Sequence, residues 1–157
     1  MFKITILAIG KIKKDYFRDG IEEYLKRLSV DAKIIIEEIK PEPFFDNSDH
    51  DKIKKLEGDN ILKALEKYSQ DKIVILDEHE GELESKEFSQ FLSQNNQENI
   101  VFVIGGALGL SEDVLNYSGS VKISLSKMTL PHEMVRLVLA EQIYRAIAIG
   151  KNKKYHY

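Results

Sequence analysis

Four stretches of this sequence combine residue types that can hold or process a ligand. The first is Val101-Phe102-Val103-Ile104-Gly105-Gly106-Ala107-Leu108-Gly109-Leu110-Ser111, a β-branched run broken by paired glycines and followed by a helix-capping residue. Paired glycines let a backbone approach a ligand closely, and the carboxyl end of a buried parallel strand is where α/β folds bind ligands. The dinucleotide fingerprint GxGxxG fails here, because glycine would be needed where Ile104 stands, and no Gly-Lys-Ser/Thr follows to make a phosphate loop. The loop is compatible with cofactor binding or with a plain strand-to-helix turn. The second stretch, Ser124-Leu125-Ser126-Lys127-Met128-Thr129-Leu130-Pro131-His132, offers backbone amides, hydroxyls and a thioether able to grip an adenine and a polar tail. His132, at a helix start, has its cationic form disfavoured by the helix dipole and can serve as a neutral base or donor; the plain alternative is a surface histidine near a cap.

The third stretch is the long apolar segment that follows. Met134, Val135, Leu137, Val138, Leu139, Ala140, Ile143, Tyr144, Ala146, Ile147, Ala148 and Ile149 leave no clean polar face, so the helix is buried on several sides, and for so small a chain a second subunit is expected to share that burial. Arg136 and Arg145 either pair with carboxylates, as Glu141 four residues before Arg145 invites, or aim at a phosphate or carboxylate. The fourth stretch is the terminal Lys-Asn-Lys-Lys-Tyr-His-Tyr, a basic-aromatic segment of the kind that pairs phosphates and stacks on bases, unless it simply frays.

These stretches need elements to position them. Apolar periodicity predicts strands at 3–9, 32–39, 72–76, 100–104 and 121–124, and helices at 15–28, around 85–92 and from Pro131 to about residue 149. A further helix carries Ile53, Leu56, Ile61, Leu62 and Leu65 and is capped by Asp49 or Asp51, while Ser111 opens a short one. Residues 40–50, with Pro41 and Pro43, form a loop. The βα alternation with buried central strands gives an α/β fold with a largely parallel sheet, in one domain spanning 1–157.

Composition removes whole classes of function. With no cysteine among 157 residues, there is no disulfide scaffold, thiolate zinc site or cysteine nucleophile, and a reducing cytoplasmic setting fits. Hydrophobic residues at 43% exclude a disordered chain at a net charge of −3. No apolar run approaches the roughly 20 residues that span a bilayer, and the apolar N-terminus is a buried strand, not a signal peptide. His50 and His79 lie among acids without paired ligand spacing, so no metal is expected.

Taken together the segments resemble the RlmH family, the SPOUT-class methyltransferases of 23S rRNA. The resemblance runs through Lys3-Ile4-Thr5-Ile6-Leu7-Ala8-Ile9-Gly10-Lys11, Glu23-Tyr24-Leu25-Lys26-Arg27-Leu28, Lys55-Leu56-Glu57-Gly58 and Val74-Ile75-Leu76-Asp77. It continues through Phe102-Val103-Ile104-Gly105-Gly106 with Gly109-Leu110, then Ser124 to His132, Arg136, Leu139, Glu141-Gln142-Ile143-Tyr144-Arg145-Ala146 and Tyr155-His156. It implies an α/β fold with a C-terminal trefoil knot, a homodimer, and S-adenosylmethionine held in the knot by Leu76, Gly105, Leu125, Ser126, Lys127, Met128, Thr129 and Leu130. The implied target is N3 of a pseudouridine in a 23S rRNA stem-loop within the assembled 70S ribosome. An imide N3–H must lose its proton before it attacks, so a base or an anion-stabilising cation is needed. His132, Arg136, Arg145, Tyr155 and His156 are the catalytic candidates, with the tail of one subunit folding over the cofactor of the other. A related knotted tRNA methyltransferase and a non-catalytic ribosome-associated module are the alternatives. This chain has Gly81-Glu82 where relatives often have Gly-Lys, and ends on Tyr157 where they commonly carry a basic residue.

The small net charge hides a polarised distribution. Residues 77–87 hold six acids and one lysine for −5, residues 11–28 hold six bases and four acids for +2, and the tail from Lys151 carries three lysines for +3. A basic face can therefore dock phosphates on a protein that is acidic in sum.

Overall fold

The computed structural model describes residues 1–153. The elements run β1 (Phe2–Ile9), α1 (Asp15–Leu28), β2 (Ala32–Ile39), α2 (His50–Leu65), a 3-10 turn (Glu66–Tyr68), β3 (Lys72–Leu76), α3 (Ser85–Gln94), β4 (Asn99–Ile104), α4 (Glu112–Leu115), β5 (Val121–Ile123) and α5 (His132–Gly150). The five strands form one all-parallel sheet in the order β2-β1-β4-β3-β5. Strand and helix order follows the sequence reading closely. Two details differ. Pro131 sits at the cap position of α5, extended ahead of the first turn, and the 3-10 turn after α2 was not foreseen.

Strand alternation divides the core between the two faces. Ile4, Ile6, Ala8, Ile100, Phe102, Ile104 and Val74 face α1, α3 and α5, whereas Leu7, Ile9, Val101, Val103, Ile73 and Ile75 face α2 and α4. A sheet covered on both sides accounts for the unbroken apolar strands. The helices are ended by local chemistry. Asp49, not Asp51, caps α2, accepting from the Lys52 N–H at 3.1 Å, and Glu84 and Glu87 form a reciprocal box at the start of α3.

From His132 to Ile149 no residue of α5 is fully exposed, and much of the burial comes from the same chain. Leu137 packs on Gly20 of α1, Tyr24 lies 6.0 Å from Tyr144 between ring centres, and the Ser89 hydroxyl of α3 donates to the Ala146 carbonyl at 2.6 Å. At the end of α5, Lys151 and Lys153 both reach the buried Asp31 ahead of β2, the latter at 3.2 Å. Hydrogen bonding from Lys151 holds the Asp31 carboxyl below its usual range against the opposing effect of burial, and Lys153 adds to it.

On the other face, α2 meets α4 where Gly58 lies against Ser111. A Cβ on Gly58 would stand 2.1 Å from the Ser111 Oγ and 2.9 Å from its Cβ. Gly58→Ala is therefore expected to destabilise the protein by about 1–3 kcal/mol despite alanine's better helix propensity, and adding Ser111→Gly should recover most of the loss. Urea denaturation of the single and double variants checks this; equal stability of Gly58→Ala and the parent would refute the contact.

Candidate functional site

A cleft of about 760 Å³ opens at the carboxyl ends of β3, β4 and β5. Leu76 and Ile104 line it from the strand ends, with residues 105–110 of the glycine loop and the segment running into α5. Of the residues singled out from the sequence as cofactor contacts, Leu76, Gly105, Leu125, Ser126, Met128, Thr129 and Leu130 line this cleft, and Lys127 does not. His132 lines it too. Asp77, Glu78 and His79, which the sequence reading did not place there, line it as well, as do Lys54 and Glu112.

The segment after β5 is held in shape by its own hydroxyls and by the loop after β3. The Ser124 hydroxyl donates to the Ser126 carbonyl at 2.9 Å, and the Ser126 hydroxyl accepts from the Met128 N–H at 2.9 Å. Ser124 N–H donates to the Gly81 carbonyl at 3.1 Å, and Glu82 pairs with Ser124 as a parallel bridge. The Glu82 carboxylate then accepts from the Lys127 N–H at 2.9 Å. Glu82 thus latches the cleft-lining segment, a role visible only once the two loops are seen side by side.

The loop owes Gly105 and Gly106 to packing within the protein, and Gly109 to a φ of +85°. A Cβ on Gly105 would sit 3.0 Å from the Gly109 carbonyl carbon and from Leu110, and one on Gly106 would sit 2.9 Å from the Glu57 Oε2 and 3.0 Å from Ile9. Glu57 is buried in α2, where burial pushes its carboxyl up despite the opposing Glu42 N–H that it accepts at 3.0 Å. Glu57 and Gly58 of α2 therefore support the loop from behind.

The three charged candidates of α5 have different settings. His132 is half-buried, and a Cβ placed on Gly10 would lie 4.0 Å from both the His132 Nε2 and the Pro41 ring, so the end of β1, the loop after β2 and the start of α5 meet there. Burial pushes the His132 imidazole below its ordinary value; neighbouring Glu133 opposes this, while Arg136 and Lys13 reinforce it. Arg136 is only 1% exposed. It pairs with Glu38 of β2 at 2.9 Å and donates to the carbonyls of Ile9, at 3.1 Å, and Gly10. Arg145 donates to Glu141 one turn earlier at 3.0 Å. Both arginines thus engage protein carboxylates, one of the two alternatives left open by the sequence. Tyr155 and His156 lie outside the described residues.

A doubly covered parallel sheet with a cleft at its carboxyl edge is a general ligand-binding frame, and comparison with known families makes this one a methyltransferase of the SPOUT class. The chain belongs to that family: residues 2–156 match the one described as "Predicted SPOUT methyltransferase". Among its relatives is the Ribosomal RNA large subunit methyltransferase H of Carboxydothermus hydrogenoformans, 42% identical over 160 residues that cover 98% of this chain and 99% of that protein. The proteins of the same name from Pelotomaculum thermopropionicum and Lactococcus lactis are 39% and 41% identical, covering 100% and 98% of this chain and 100% and 99% of their own lengths. A structure described as a probable methylase family protein from Haemophilus influenzae covers 99% of this chain and 71% of its own, with a TM-score of 0.57 at 14% identity, a likeness of fold.

Because its imidazole is depressed by burial, His132 is neutral at pH 7, and the folded protein binds fewer protons there than the unfolded chain as pH falls. The associated stability is complete above the ordinary imidazole value of about 6.5 and is lost as pH drops through the folded value. An NMR titration of the four histidines checks the shift: the His132 resonance should have a midpoint below about 6.5. A midpoint at or above that value contradicts the assignment.

Proposed function

We propose that this chain methylates N3 of a pseudouridine in a stem-loop of 23S rRNA, taking the methyl group from S-adenosylmethionine and working as a homodimer on assembled 70S ribosomes in the cytoplasm. The observation that carries this reading is the cleft at the sheet's carboxyl edge, where apolar strand ends meet exposed backbone and a neutral imidazole, in a chain matching the family from residue 2 to 156.

The residues suit that cofactor. About 760 Å³ falls within the range of small-molecule sites. Leu76, Ile104, Leu125 and Leu130 offer apolar surface for an adenine, and the backbone of Gly105 and of residues 125–130 offers donors and acceptors for its edges and for an amino-acid tail. Bound there, S-adenosylmethionine supplies a methyl group activated by its sulfonium. The trefoil knot that the resemblance implies belongs to the same reading.

His132, neutral and on the cleft wall, takes the proton from the imide N3–H as the base is alkylated. Arg136 acts as a positioning residue: by gripping the Gly10 carbonyl it fixes the backbone against which His132 lies. Arg145 stands thirteen residues beyond His132 along α5, about 20 Å at 1.5 Å per residue, so it and the tail residues Tyr155 and His156 serve the cleft of the other subunit.

Isothermal titration should show one S-adenosylmethionine per chain, and absence of binding would sink the reading. Mass spectrometry of 23S rRNA from a strain lacking the gene should show loss of a single methyl group on a pseudouridine; loss from tRNA instead moves the enzyme to the other substrate class. Deleting residues 155–157 should abolish methylation while cofactor binding is retained, and an unchanged rate counts against the tail acting in trans.

A further inference from the structure

The carboxyl edge of the sheet is divided by charge around the cleft. On the β3 side stand Asp77, Glu78, Glu80, Glu82 and Glu84, with Asp77 and Glu78 on the cleft rim itself. On the β1 side the turn after Ile9 presents Lys11, Lys13 and Lys14, all exposed, with no acid between Gly10 and Lys14. Among the described residues, none of these three ammonium groups pairs with a carboxylate. The other cationic segment is differently engaged, since Lys151 and Lys153 both hold Asp31 ahead of β2, at the opposite edge of the sheet.

The turn carrying the free lysines is fixed at almost every residue. Arg136 holds the Gly10 carbonyl, and Arg18, itself paired with Asp15 at 2.7 Å, donates to the Ile12 carbonyl at 3.2 Å. The Glu133 carboxylate accepts from the N–H of Lys13 and, at 3.4 Å, from that of Lys14. Glu133 and His132 are adjacent, so the helix start that brings the imidazole to the cleft also sets the position of the lysines.

We propose that Lys11, Lys13 and Lys14 form the landing for the phosphate backbone of the RNA substrate, which enters the cleft from the β1 side and is turned away from the β3 side by the acidic rim. This rests on the reading of the chain as an rRNA methyltransferase. Cations on a turn whose backbone is already fixed need order only their own side chains when they meet phosphates, and they release counterions from the RNA. The acids opposite give the approach a direction, because a phosphate chain displaced toward β3 meets like charge.

The test uses the full-length protein with ribosomes from a strain lacking the methyl group, comparing the parent with Lys11→Gln/Lys14→Gln and with Glu78→Gln. Lys13 is left in place because its charge acts on His132. The lysine double variant is expected to raise KM for ribosomes at least tenfold with kcat within twofold, and to leave S-adenosylmethionine affinity and Tm unchanged. The slope of log affinity for ribosomes against log salt should shrink by about two, close to one for each phosphate contact removed. Glu78→Gln should leave KM equal or lower. An unchanged KM and salt slope in the lysine variant overturns the landing, as does a KM rise that comes with an equal loss of cofactor affinity or Tm. If the parent binds S-adenosylmethionine and methylates ribosomes, such a result rejects the landing alone; if the parent does neither, the enzymatic reading fails and the landing with it.

Discussion

One buried guanidinium ties the functional edge of this protein together. Arg136 comes from the last helix, yet its partners are the carbonyls that end the first strand and a carboxylate on the second. A buried charge of this kind is tolerated only when its partners are in place, and removing one side of such a pair costs about 3–5 kcal/mol in comparable settings. The β1 wall of the cleft follows from that attachment. The start of α5 is brought over β1, His132 comes to rest beside Gly10, and Glu133 reaches the amides of the next turn.

The opposite wall is built on a different principle. There the cleft-lining segment after β5 has little secondary structure of its own, and it is held by the extension of β3 running alongside. Glu82 acts by accepting a backbone N–H, so its charge is used inside the protein as well as facing outward. The two walls therefore differ in how they are secured: a buried guanidinium with a half-buried carboxylate and two carbonyls on the β1 side, and backbone and carboxylate hydrogen bonds on the β3 side.

Much of the fold was legible in the sequence because its signals are local. The apolar runs from Phe2 to Ile9 and from Asn99 to Ile104 have strand length and β-branched content, and Asp49 announces α2 by capping it. Most of the cleft lining was legible too, since the segment between Ser124 and His132 is contiguous. What was hidden depends on contacts between distant residues. Nothing near Arg136 in the sequence says that it reaches Gly10, 126 residues away. Glu82 read as an acid in an acidic run, and the tail lysines read as uncommitted charge until Asp31 was seen between two of them. The short turn at residues 11–14 entered only as part of the basic balance of residues 11–28, because three lysines among four residues are ordinary until their backbone is found to be pinned.

The pairing of Arg136 with the end of β1 also has a consequence in time. During synthesis the carbonyls of Ile9 and Gly10 exist long before the residue that satisfies them, which follows 127 and 126 positions later. The central strand β4 and the edge strand β5 must likewise wait for late portions of the chain. Contacts of such long sequence separation make for slow folding, and they leave the nascent chain without its functional edge until the final helix has emerged. Completion of the polypeptide and assembly of the cleft are thus nearly the same event, so a truncated product lacking α5 lacks the wall that Arg136 ties to β1.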